Sequence, residues 1–123
     1  MVSENPSQCS GGPKLIFACS GAADVGGIAD QAAREMTQKG AGKMFCMAGV
    51  GGRISGIMKT TELAERILAI DGCPVNCVKN LLELAGFNKF NHLQLADLGF
   101  EKGSAPITED NINKVVIRGM ELL

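Results

Sequence analysis

Apolar positions along this chain alternate between short continuous runs and stripes with helical spacing. Leu15–Ser20 (LIFACS) is apolar at both odd and even positions, as a strand covered on both faces should be. Val25, Ile28, Ala29, Ala32, Ala33 and Met36 then recur at spacings of three and four, with Asp24 placed to cap the helix and Gly40 to stop it. Lys43–Ala48 (KMFCMA) reads as a second strand running into a loop over Gly49-Val50-Gly51-Gly52. Thr60 or Thr61 can cap a short helix carrying Glu62 and Glu65 in its first turn, and Ile67–Ile70 gives a third strand. Cys73 stands where an N-cap would be and Pro74 at the first helical position. Val75, Val78, Leu81, Leu82 and Ala85 would form the buried stripe of that helix, with Gly86 ending it. Leu93–Leu95 is the fourth strand. Thr108-Glu109-Asp110 opens a last helix with Ile112, Val115, Val116, Met120 and Leu123 facing inward.

Four β–α units in succession predict an α/β fold: a small open parallel sheet of about four strands with helices on both faces. This is a Rossmann-like or flavodoxin-like three-layer sandwich, and right-handed crossovers favour the strand order 2-1-3-4. The expected division is a polar tail over residues 1–13 and a single domain over 14–123. No internal repeat is visible.

Composition narrows the function classes. Of 123 residues, 46% are hydrophobic and 20% charged, which excludes a disordered chain. A net charge of −1 provides no footprint for nucleic acid or an anionic membrane. The absence of Trp and Tyr argues against a surface that stacks sugars or bases. The N-terminal residues lack a charged segment followed by an apolar one, and the apolar runs are too short to cross a bilayer. The chain therefore reads as soluble and cytoplasmic, a compartment where cysteines are more often metal ligands or reactive groups than disulfides.

Against that background the cysteines carry the chemistry. Cys19 ends the first strand, Cys46 lies near the end of the second, Cys73 follows the third, and Cys77 sits one turn into the next helix. In an open α/β sheet, ligands bind outside the carboxyl ends of the strands, where the winding reverses. Strands about 4.8 Å apart place the outer two of three about 9.6 Å from each other, and inward-leaning thiols close enough of that gap for Zn–S bonds of about 2.3 Å. Cys19, Cys46, Cys73 and Cys77 are thus the candidate metal ligands. The C-P-V-N-C spacing of Cys73 and Cys77 would put both sulfurs on one helical face. Orphan amides of the Pro74 helix, or a nest over Gly49–Gly52, could offset the −2 charge of a zinc held by four thiolates. Taken singly, Cys46 or Cys19 reads as readily as a small core residue. Cys9, in the polar tail, reads as a bystander able to fold back over the site.

Other motifs fall short. Cys46 to Arg53 resembles the anion loop of cysteine phosphatases but has six intervening residues where that family uses five. Cys73 and Cys77 lack the third cysteine of a radical iron–sulfur motif, and neither the dinucleotide fingerprint nor a P-loop is present. His92, the lone histidine, is expected at the surface. Asp71 and Asp97, at the ends of strands three and four, are each either a helix cap or a residue with a supporting or catalytic role at the site.

Asp71-Gly72-Cys73-Pro74 within LAIDGCPVNC, the run from Cys19 to Asp30 (CSGAADVGGIAD) and Phe45 to Arg53 (FCMAGVGGR) together resemble the DGC-domain family, described as zinc- or metal-binding. The likeness covers about Lys14 to Lys102. It implies a metal-binding domain whose four shared cysteines would be Cys19, Cys46, Cys73 and Cys77, and it implies no activity. Two expectations stand beside a zinc-binding protein with a role in metal handling or sensing. One is a thiol/disulfide or cysteine-nucleophile enzyme using Cys73 as nucleophile with Cys77 or Cys19. The other is an iron–sulfur protein with the same ligands. The expected partner is a metal ion, and the sequence names no protein partner.

Overall fold

The structure, a computed structural model, describes residues 12–123; Cys9 and most of the polar tail lie outside the described residues. Four parallel strands, β1 (Lys14–Ala18), β2 (Lys43–Met44), β3 (Arg66–Asp71) and β4 (Asn91–Gln94), form one sheet in the order β2-β1-β3-β4, as the crossover rule suggests. The register pairs Lys14 with Arg66 through Ala18 with Ile70, and Leu68 with Asn91 through Asp71 with Gln94. The apolar parities of β1 divide as expected. Ile16 and Ala18 pack with Leu68 and Ile70 beneath α1 (Asp24–Gln38) and α5 (Glu109–Leu122), whereas Leu15 and Phe17 pack with Ile67 and Ala69 on the other face. That second face is covered by α2 (Met47–Gly51), α3 (Ser55–Glu62) and α4 (Cys77–Leu84), through Val50, Val78 and Leu82 among others. Each large side chain fully removed from water here stabilises the sandwich by about 1.5–3 kcal/mol. Among the described residues no helix is long and apolar enough to cross a membrane.

Several local expectations change. Strand β2 ends at Met44, after which Phe45 still donates its amide to Ile16 O at 2.8 Å. Cys46 then turns the chain: its Sγ accepts from Gly49 N at 3.3 Å, so the expected glycine loop is instead the short helix α2. Thr60 and Thr61 lie in the last turn of α3, where their hydroxyls donate back to Gly56 O and Ile57 O, and they cap nothing. Cys73 is not an N-cap and Pro74 does not begin a helix. Asn76 N donates to Cys73 O at 3.2 Å, making Cys73-Pro74-Val75-Asn76 a turn with proline at its second position, and α4 starts only at Cys77. Val75 is consequently 64% exposed, outside the stripe assigned to it. Strand β4 starts two residues early, and Leu95 opens a single 3-10 turn (Leu95–Leu98). In α5 Met120 is 45% exposed, and the buried position beside Met36 belongs to Gly119. The helix stops at Gly40 and Gly86 hold, both at positive φ, as does the Thr108 cap, whose Oγ1 accepts from Asn111 N.

Candidate metal centre

All four candidate cysteines sit at the carboxyl edge of the sheet, each placed by a different local device. Cys19 directly follows β1, and its amide donates to Ile70 O at 3.2 Å, one step beyond the strand. Ser20 then takes a left-handed φ of 53° and reverses the chain, its hydroxyl donating to Asp30 Oδ1 at 2.8 Å. Cys73 occupies the first corner of the turn after β3, and Cys77 the first residue of α4. Cys19 and Cys73 are half-buried; Cys46 and Cys77 are exposed.

Three of these cysteines line one space. Cys19, Cys73 and Cys77 line a crevice of about 640 Å³ together with Val25, Val75, Lys102 and several glycines and alanines. It opens between β1 and β3, where the connections turn to opposite sides of the sheet. Cys46, past the end of β2, is not on its wall and instead caps α2. Cys73 and Cys77 flank a turn, so they share the crevice without sharing a helical face.

The donor set is chemically suited to a thiophilic ion, since soft thiolates select zinc over hard cations. The side chains do not form a closed ligand set here: among the described residues, no group of three or more His, Cys, Asp or Glu is arranged to hold a metal ion. The expected offset of its charge by amides at Pro74 has no counterpart, because no helix begins there.

Asp71 organises the edge beneath the cysteines. Its carboxylate is 1% exposed, accepts from Val78 N at 2.8 Å and Lys79 N at 3.1 Å, and lies 2.8 Å from His92 Nε2. The first-turn amides of α4 are thus capped from the preceding strand. That compensates for Asn76, which sits at φ 59° and makes no side-chain cap. His92 is half-buried and paired, which corrects its assignment to the open surface. Asp97 is exposed in the 3-10 turn and does not reach the crevice wall.

The segment carrying Lys102 is held by a contact that no motif marks. Asp24 is not the cap of α1: the N-cap is Ala23, which makes no side-chain cap, and Asp24, the first helical residue, accepts from Val25 N at 2.7 Å and from Gly103 N and Ala105 N, each at 3.0 Å. These bonds, Gly103's foremost and Ala105's next, hold its carboxyl below the usual aspartate value. They also pin the segment carrying Lys102 across the start of α1. With the partners 79 positions apart in sequence, no local signal announces the contact.

The curated relative named the anaerobic and virulence modulator AnvM, from Pseudomonas aeruginosa, is 35% identical to this chain over 88 residues, spanning 72% of the chain and 67% of the relative. No solved structure matches. The family model of the DGC domain matches residues 15–118, nearly the whole of the described sandwich and all four edge cysteines, and the chain belongs to the DGC-domain family.

Proposed function

We propose that this protein binds a thiophilic metal ion, zinc foremost, through Cys19, Cys73 and Cys77 with Cys46 as the fourth ligand, and that it serves in metal handling or sensing. The observation that carries the reading is the convergence of three thiols from two separate β–α connections on one crevice at the sheet's switch point. Cys46 follows the neighbouring strand on the other side of β1. Its hydrogen bond from Gly49 N is compatible with metal ligation, because a thiolate sulfur can accept an amide while bound to a cation. The sandwich buries two apolar clusters of its own, so metal is not required to make a core. That favours a regulatory or carrier role over a purely structural one. The relative's description as a modulator agrees with such a role. A cytoplasmic setting, where thiols stay reduced and available, is part of the proposal.

Zinc bound when present would lower the thiol protonation of its ligands and cross-link the β1, β2 and β3 connections. The chain's own residues provide the frame: Asp71 fixes the start of α4 and with it Cys77, and Asp24 fixes the segment carrying Lys102. Equilibrium dialysis of anaerobically purified protein against zinc, with protons counted on binding, tests the reading. About one equivalent with net proton release is expected. Binding below a tenth of an equivalent would overturn it, and a coloured protein containing iron would replace it with the iron–sulfur alternative.

A further inference from the structure

The crevice has a chemical asymmetry that a bare metal ion does not use. Its volume of about 640 Å³ lies in the range of sites for small organic molecules, well beyond what one ion fills. Cys19, Cys73 and Cys77 line it, and Lys102 is the one cationic residue among its lining. No carboxylate lines the space, and Lys102 makes no ion pair among the described residues. Lys102 is kept there by the two strap amides, of Gly103 and Ala105, that Asp24 accepts. The remaining surface is small and apolar. A complementary ligand joins a sulfur-seeking centre to an anionic group.

We propose that the crevice takes a small carboxylate-bearing thiol compound, delivered as its disulfide, with Lys102 pairing the carboxylate and a crevice cysteine taking the sulfur. A deprotonated crevice cysteine attacks one sulfur of the disulfide and the original S–S bond breaks. The protein keeps half of the compound as a mixed disulfide. The other half leaves as a thiolate and takes up a proton equivalent to the one the cysteine released. The incoming disulfide is the oxidant, so the step needs no other. This inference shares its thiols with the metal site proposed above and adds the class of molecule that competes for them.

Three disulfides of graded charge test it: oxidised glutathione (anionic), hydroxyethyl disulfide (neutral) and cystamine (cationic). Each is reacted with the full chain, as isolated and after chelator treatment. Trypsin separates Cys19, Cys46 and the Cys73/Cys77 pair into three peptides, so mass spectrometry reads each site, and exposed Cys46 off the crevice wall is the internal reference. After chelation, the glutathione-to-cystamine rate ratio at the crevice cysteines should exceed that at Cys46 about three-fold or more, the weight of one ammonium–carboxylate pair close to water. Lys102→Gln should bring the ratio down to that of Cys46 and leave hydroxyethyl disulfide unaffected. Equal ratios at the two places, a ratio indifferent to Lys102→Gln, or no adduct at the crevice cysteines would overturn the proposal. Zinc content measured on the same samples separates the two readings. Charge selection without zinc binding sinks the metal assignment alone, and zinc binding without charge selection sinks this one alone.

Discussion

His92 Nε2 lies 2.8 Å from Asp71 Oδ2, joining β4 to the end of β3 two residues before Cys73. The same carboxylate caps the first turn of α4, so one buried side chain ties two strands and a helix at the edge where the cysteines gather. The aspartate of the Asp71-Gly72-Cys73 motif is therefore a framework residue whose position sets that of Cys77.

Replacing Asp71 by Ala strands the amides of Val78 and Lys79 and the imidazole of His92 in a buried place. A loss of about 3 kcal/mol in unfolding free energy is expected, read as a lower urea midpoint with an unchanged slope. Asp71→Asn, which keeps one acceptor oxygen, should cost less. His92→Leu, which removes only one of the three donors, should cost about 1 kcal/mol. An Asp71→Ala midpoint equal to that of the parent would show that the carboxylate caps nothing.

Gly72, the middle residue of that motif, is required by close approach. A Cβ there would lie 2.8 Å from Val25 C and 2.9 Å from Val25 O, backbone atoms at the start of α1 that cannot swing aside. Gly72→Ala should destabilise by about 1–3 kcal/mol through overpacking, read as a lower urea midpoint. Gly56→Ala, where a Cβ meets nothing, is the control and should be neutral or slightly stabilising.

Asp24 makes the strap over the crevice sensitive to acid. Its folded-state pKa is depressed by the amides it accepts, Gly103's first, from an ordinary value of 3.8. The carboxylate's contribution is therefore fully present above that value and is lost as pH falls through the lower folded value. Amide exchange at Gly103 and Ala105 should stay protected from neutral pH down to about 4 and loosen below it, after correction for intrinsic rates. In Asp24→Asn the two amides should exchange faster near neutral pH, with no such acid step. An acid step that persists in the variant would assign it to another group.

The elements that were legible in the sequence are those whose signals are local. Leu15 to Ala18 declares a doubly covered strand by its apolar parities, and Gly40, Gly86 and Thr108 mark helix ends by chemistry confined to one turn. The gathering of Cys19, Cys46, Cys73 and Cys77 at one edge follows from the β–α alternation alone. Pro74 misled because proline suits both the first position of a helix and the second of a turn. The choice was made by Asp71, whose acceptors reach seven and eight residues onward. Two glycines hid α2, which depends on the Cys46 cap and on Gly49 leaving room for Ile57. His92 and Asp24 meet partners 21 and 79 residues away, and no pattern in a single chain announces such pairs.

The most direct test of the metal assignment is the zinc content of four proteins purified in parallel under anaerobic conditions: the parent, Cys73→Ser/Cys77→Ser, Cys46→Ser and Cys19→Ser. The parent should retain about one equivalent through gel filtration. The Cys73→Ser/Cys77→Ser protein, with two of the three crevice thiols gone, should retain almost none while its urea midpoint stays near the parent's. Cys19→Ser and Cys46→Ser should each weaken retention, Cys19→Ser the more because Cys19 lines the crevice and Cys46 does not. Full retention of zinc by the folded double variant would contradict the account.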